Sequence, residues 1–534
     1  MVFGHDKIEA TDTYVSYPPI HIPYNMIINV LDYLENSAHR VPDKTVFADE
    51  SNSITYATLV QYAKSIGSRF LAETNGARRK PVVVFVDRNI ESLVIFMGVA
   101  YSGNFYVPID IHMPKRRIEL ILETLHPIAT VNLQAHAGFV AEMAPDLKSF
   151  IYEESIHHHI DEQRLAKVRR ATIDTDPIYA TFTSGSTGIP KGVITCQRSV
   201  VDMTEALVDT FHFSEESVFG NQNPFYFDAS IKDIYCTLKC GATMYIIPKS
   251  CFVMPAKLVE FMNQYRIESI LWSAAAIAHV ANTRAFDDAR PEYLRKVMFS
   301  GEVMHNKVLN YWRRLLPETQ FVNLYGPTEI TSVCTYYKIE RPFEDDEVLP
   351  IGIPFKNTEV ILLNADNEPV TGDEIGELCV RGCCLALGYY NNPEKTAEAF
   401  CQNPLNDSYP EKIYRTGDLA RYNELGEIMF LSRKDNQVKH MGQRVELGEI
   451  EIIINSLEVI DASICFYDHD KQKIVLIYQG PQADKKYILN GIKNTLPKYM
   501  FPNTMISMDQ LPYNLNGKID RTLLKDMYKN GEIG

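Results

Sequence analysis

Over the first four hundred residues, short apolar runs alternate with stretches whose apolar positions recur every three or four residues. Met26, Ile27, Val30, Leu31 and Leu34 fall on one face, which predicts a helix over residues 26–38. Residues 82–86, 105–109, 128–131, 269–272 and 296–300 are short and rich in apolar or β-branched side chains, which predicts buried strands. Residues 92–100 read as a buried helix, 115–118 as the basic start of another and 256–265 as a third. This alternation predicts α/β layers with largely parallel sheets.

The pattern then changes. Residues 359–363, 376–381 and 426–431 are strands separated by Gly, Asn and Asp turns, which predicts a smaller, β-rich, more antiparallel or barrel-like subdomain. Residues 432–439 are polar and read as a boundary. Beyond them, helical patterns at 447–457 and 486–495 enclose strands at 462–466 and 473–478, a compact α+β unit. The expected division is a large N-terminal α/β domain, residues 1–433, and a small α+β C-terminal domain, residues 434–534.

At 534 residues the chain exceeds one ordinary domain, and its 46% apolar content is enough for substantial cores. A net charge of -15 argues against a general nucleic-acid binder but leaves room for a local basic cluster. The ten cysteines include no C-x-x-C pair and read as reduced thiols. The N-terminus lacks a signal-peptide core, and the longest apolar runs fall short of the ~20 residues needed to cross a bilayer. The expectation is a soluble, cytoplasmic protein that acts on neither nucleic acid nor membrane. His157, His158 and His159 read as a solvated loop.

The chemistry lies in four segments. Residues 179–193 end a strand and then carry Thr183, Ser184, Gly185, Ser186, Thr187, Gly188 and Lys191. Small hydroxyls, bare amides and one cation suit polyphosphate oxygens, although the spacing departs from the Walker pattern. Residues 323–329 place Tyr325 before a Gly326-Pro327 turn that would expose its ring, followed by Thr328 and by Glu329, a carboxylate able to hold Mg²⁺. Asp418 follows a Thr416-Gly417 turn at an expected strand entrance, where it could accept both hydroxyls of a ribose. Lys518 follows an Asn-Gly turn near the C-terminus and offers a point charge. Each segment alone is also a plain turn, loop or solvated lysine.

Together and in this order, with residues 54–59, 105–110, 227–230, 376–378 and 437–451, they give the chain a strong resemblance to the adenylate-forming superfamily from about Ile54 to Arg521. Within it, the chain resembles the amino-acid adenylation domains of nonribosomal peptide synthetases and the D-alanine:carrier-protein ligases. The resemblance implies a ligase that uses ATP and Mg²⁺ to form an acyl-adenylate and pyrophosphate, then passes the acyl group to a thiol. It implies that residues 183–191 hold the β- and γ-phosphates, Tyr325 lies against adenine, Thr328 near the α-phosphate and Glu329 near Mg²⁺. Asp418 binds the ribose with Arg433 assisting, and Lys518 bridges the substrate carboxylate and the α-phosphate. The small domain is expected to swing about Asp435, bringing either Lys518 or the loop near Gly442 to the site, the latter forming a phosphopantetheine channel.

In the amino-acid branch an aspartate at the place of Asp228 pairs with the substrate's α-ammonium. By position the side-chain pocket is expected to involve Ala229, Lys232, Trp272 and Met298, and beyond them Ser300, Leu324, Ser332 and Val333. The stretch after Trp272 lacks the prolines usual there. Trp272 with Met298 would leave room only for a small side chain; an inward Lys232 would want an acidic one; an outward Lys232 would merely snorkel to solvent. Thirteen residues follow Arg521. The expectation is therefore a stand-alone ligase or an excised adenylation domain, with a separate carrier protein as thiol acceptor. The alternatives are an acyl- or aryl-CoA ligase and a non-catalytic relative of the same fold.

Overall fold

A computed structural model describes residues 27–185, 189–345, 347–434, 437–480, 484–512 and 519–534. Two large sheets carry the N-terminal part. One has seven strands, with Pro177–Thr183, Phe105–Asp110, Pro81–Val86, Ala129–Asn132 and Ser149–Ile151 parallel in that order and Lys191–Cys196 added antiparallel. The other has nine, among them the parallel run Val218–Asn221, Ser269–Ser273, Lys296–Ser300 and Gln320–Tyr325. The main core lies between these sheets. Val82, Val84 and Val86 contribute from one, and Phe219, Leu271, Met298 and Val322 from the other. Helix Ile90–Tyr101, capped by Asn89, is buried at every position but Glu91, as its apolar run from Leu93 onward requires.

The smaller subdomain is the expected antiparallel one: Thr358–Leu363, Gly376–Gly382, Lys412–Tyr422 and Phe400–Gln402, with Ile428–Arg433 also on Lys412–Tyr422. Next comes a hairpin, Gln437–His440 with Gln443–Glu446, and helix Leu447–Asn455. A three-stranded sheet, Ala462–Asp468, Lys473–Gln479 and Thr504–Met508, completes the C-terminal unit. The expected fold class is the observed one.

Two local readings change. Asp418 stands in the middle of strand Lys412–Tyr422, not at its entrance. Gly417 has φ 73°, and the register against Gly376–Gly382 shifts there, so the Thr416-Gly417 signal is a bulge inside a strand. The polar boundary at 432–439 is largely structured: strand Ile428–Arg433 runs through Ser432, and Arg433 pairs in register with Asp418. Among the described residues no helix is long and apolar enough to cross a membrane, all cysteines are free, and no His/Cys/Asp/Glu cluster could hold a metal.

Candidate active site

Strands Ser269–Ser273, Lys296–Ser300 and Gln320–Tyr325 are parallel neighbours, so their carboxyl ends open on one edge of the sheet. That edge is where α/β sheets bind ligands, because the connecting loops diverge there. A cavity of about 180 Å³ lies against it. Its walls combine Ser273, Ser300 and Thr328 from this edge, Thr183 and Ser184 from the other large sheet, and Asp228 and Ala229 from the turn before helix Ile231–Cys240. Asp418 and Arg433 come from the antiparallel sheet, and Lys439, Gly442 and Arg444 from the C-terminal hairpin.

On the hydroxyl-rich side, the buried Thr181 and Thr183 hydroxyls have no hydrogen-bond partner among the described residues. Ser184 Oγ donates to the Arg444 carbonyl at 3.0 Å. Lys191 stands back from the cavity, with Nζ 5.2 Å from the centre of the Tyr389 ring. Burial and the Arg444 charge lower its pKa against the pull of Glu329. Gly185 is described; Ser186, Thr187 and Gly188 lie outside the described residues, as do Asp435 and Lys518.

The Gly326-Pro327 turn does not expose Tyr325. Its ring is buried, and its hydroxyl donates to Asp418. Arg433 holds the other Asp418 oxygen at 2.5 Å. Each carboxylate oxygen keeps a second lone pair, so this anchored Asp418 can still accept from sugar hydroxyls. Thr328 lines the cavity beside Asp228, and its hydroxyl helps to hold the Asp228 pKa down against burial.

Glu329 is fully buried. Oε1 accepts from Tyr389 Oη at 2.7 Å, and Arg444 Nη1 reaches Oε1 at 2.7 Å and Oε2 at 2.9 Å. Burial alone would raise its pKa; the Arg444 charge and the Tyr389 hydroxyl outweigh this and hold it at about 2. The unpartnered threonine hydroxyls and Asp418 therefore fit a nucleoside triphosphate, whereas Glu329 does not fit a metal ion in this arrangement because the Arg444 guanidinium neutralises its charge and would repel a second cation.

The side-chain pocket differs from expectation by one strand position. Trp272 points away from the cavity into a second core, edge-on to Phe252 at 5.3 Å, with Nε1 donating to the Gly220 carbonyl at 2.7 Å. Alternation along a strand places its neighbour Ser273 on the cavity face. Met298, Leu324 and Val333 are buried in the main core behind the wall and do not line it. Asp228, Ala229, Ser300 and Ser332 do. Lys232 does not snorkel: it is 1% exposed, and Nζ donates to Ser332 Oγ at 2.9 Å. Burial lowers its pKa, opposed by the charges of Asp228 and Asp233. Burial raises the Asp228 pKa, opposed by Lys232 and Thr328.

In the hairpin, Gly442 lines the cavity and its N–H donates to Glu302 Oε1 at 2.7 Å. Its neighbours bring in residues that sequence reasoning left without a role. Lys439 faces the same space, its pKa lowered by burial against the pull of Asp418. Arg117 and Glu449 form a buried ion pair at 2.6 Å between helices Lys115–Leu125 and Leu447–Asn455. Arg444, Lys439 and Glu449 all fall within residues 437–451, a segment that carried the resemblance; the signal was present, but their partners lie more than a hundred residues away or, for Asp418, on a different sheet.

Comparison with known proteins gives three kinds of match. Residues 34–390, well over half of the chain, match the family described as AMP-binding enzyme. The chain is 29% identical over 510 residues to tyrocidine synthase 1 of Brevibacillus parabrevis, covering 95% of itself and 45% of that protein. With bacitracin synthase 1 of Bacillus licheniformis the identity is 32% over 512 residues, covering 94% and 9%. With bacitracin synthase 3 of the same organism it is 31% over 527 residues, covering 96% and 8%. The chain thus spans less than half the length of each of these relatives. Among solved structures, holo-PA1221, an NRPS protein containing adenylation and PCP domains, superposes with TM-score 0.79 at 21% identity over 93% of this chain and 84% of that one. The fused adenylation-PCP di-domain NpsA-ThdA from Klebsiella oxytoca gives 0.77 at 19%, over 95% and 97%. These likenesses establish a shared fold.

Proposed function

This chain belongs to the AMP-binding enzyme family, and from that premise we propose that it activates an α-amino acid with ATP and passes it to a thiol. The amino-acid carboxylate attacks the α-phosphorus, forming aminoacyl-AMP and releasing pyrophosphate. A phosphopantetheine thiol of a carrier protein, acting in trans, then attacks the carbonyl and expels AMP. The carrying observation is convergence: Asp228, Thr328, Asp418 and Arg433, spread over two hundred residues, line one cavity.

In this reading Asp228 receives the α-ammonium, Thr181, Thr183 and the following loop receive phosphate oxygens, and Asp418 receives the ribose. Phosphoryl transfer of this kind needs placement and charge stabilisation rather than a protein nucleophile. Residues 1–433 and 434–534 would be the two moving parts, hinged at Asp435. The observed arrangement, with Gly442 on the cavity and Arg444 on Glu329, would be the thiol-transfer one. The adenylating one would withdraw Arg444, free Glu329 for Mg²⁺ and bring in Lys518. Coenzyme A is the second candidate acceptor. Asp228 favours an amino acid over the fatty or aryl acids of CoA ligases, since a half-buried carboxylate in a cavity wall favours a cationic partner. The test is ATP–pyrophosphate exchange over both stereoisomers of each amino acid. Amino-acid-dependent exchange is the expected result; exchange driven by fatty or aromatic acids and by no amino acid would replace this reading.

A further inference from the structure

Lys232 carries a charge that nothing else in the site accounts for. It sits in the first turn of helix Ile231–Cys240, one turn beyond Asp228, and is 1% exposed. Ser332 Oγ accepts from its Nζ; Ser332 is a wall of the cavity, and Lys232 lies behind it rather than lining the cavity itself. Among the described residues no carboxylate makes an ion pair with it; Asp228 and Asp233 act on it only through space. Asp233 accepts from Asn221 Nδ2 at 2.7 Å through one oxygen, and its other, buried oxygen has no hydrogen-bond partner among the described residues. A buried ammonium held by one neutral hydroxyl is costly, and proteins normally pair such a charge.

The backbone is distorted to keep that hydroxyl in place. Thr331 and Ser332 have φ of 61° and 75°, a region that residues other than glycine seldom adopt. Thr331 Oγ1 donates to the Cys384 carbonyl, fixing this segment. Gly326 lets the chain pass close by: a Cβ there would stand 2.6 Å from the Ser332 carbonyl oxygen. Strain of this kind persists where a side chain must be aimed.

The charge balance then selects the ligand. An α-ammonium docked on Asp228 takes from Lys232 its through-space counter-charge. A neutral side chain would leave Lys232 with the through-space charge of Asp233 alone, whereas a side-chain carboxylate would restore the balance. Trp272 and Met298, the residues that would have limited the pocket to small side chains, lie outside the cavity, and the small residues Ala229 and Ser300 line it.

We propose that the activated amino acid has an acidic side chain, and that Lys232 and Ser332 receive its carboxylate. This rests on the reading that the cavity adenylates an amino acid. The test is ATP–pyrophosphate exchange with aspartate, glutamate and 2-aminoadipate against asparagine, glutamine, alanine, leucine and lysine, in both stereoisomers. The expected result is a kcat/KM for one acidic amino acid at least ~100-fold above that for its neutral amide, the discrimination expected when a site built around a polar group meets an analogue lacking it. Lys232→Met should reduce that acid-to-amide ratio by at least ~100-fold. If this variant does not fold, the wild-type ratio decides alone. Preference for a neutral or basic amino acid, or an unchanged ratio in Lys232→Met, overturns the inference while leaving amino-acid activation standing. Exchange with no amino acid overturns both.

Discussion

Two largely buried cations, Arg444 in the cavity wall and Lys232 behind Ser332, are treated differently by the chain. Arg444 has its counter-ion within the protein: two close contacts from Nη1 tie it to a Glu329 that is itself fully buried. Lys232 has one neutral hydroxyl and two carboxylates at a distance. Desolvation penalises both; only Arg444 is repaid within the protein. The first arrangement is what holds a hairpin in place, and Arg117–Glu449 does the same a short way off. The second is what a ligand site looks like before its ligand arrives. On this view a charge's partner count separates a latch from a receptor.

The contrast can be broken at three points. The largest effect is expected from Lys518→Ala, which in the two-arrangement reading removes the cation used only when the Arg444 latch is open. Exchange should fall ~10²–10³-fold, as when a transition-state donor is lost. Transfer of the aminoacyl group from supplied adenylate to a thiol should persist. Equal loss of both steps would contradict the division.

Arg444→Met comes next. It leaves Glu329 buried without its counter-ion and should cost about 3–5 kcal/mol in denaturant unfolding. The pH dependence sharpens the point. Glu329 is depressed to about 2 from a usual carboxylate value near 4.5. Its contribution is therefore complete above about pH 4.5 and is lost as pH falls toward 2. Comparing wild type with Arg444→Met across that window should show the difference shrinking on acidification. A difference independent of pH would mean the pair is not the latch.

The smallest effect on selectivity is expected from Trp272→Phe. It removes one buried hydrogen bond to the Gly220 carbonyl, worth about 1 kcal/mol, and should leave the amino-acid profile unchanged. An altered profile would return Trp272 to the pocket wall.

Most of the scaffold was legible in the sequence. Strand Phe105–Asp110, helix Ile90–Tyr101 and helix Leu447–Asn455 lie close to where the apolar periodicity placed them. Local pattern is enough there because each element buries one continuous face. Trp272 was misplaced because a strand alternates faces at every residue, so an error of one position moves a side chain from cavity to core. Asp418 was misplaced because a Thr-Gly bulge and a Thr-Gly turn look alike in sequence. Arg444–Glu329 and Arg117–Glu449 were invisible because their partners are 115 and 332 residues apart. Only the packing of the hairpin and the Leu447–Asn455 helix against the N-terminal part brings them together.

The account turns on Asp228 receiving an α-ammonium, and one comparison addresses it directly: ATP–pyrophosphate exchange driven by the preferred amino acid and by the same acid lacking its amino group. The amino acid should be at least ~100-fold better in kcat/KM, since the analogue leaves the Asp228 carboxylate in the cavity wall without its cationic partner. Equal exchange with the two acids would show that the cavity reads only a carboxylate, and would contradict the assignment.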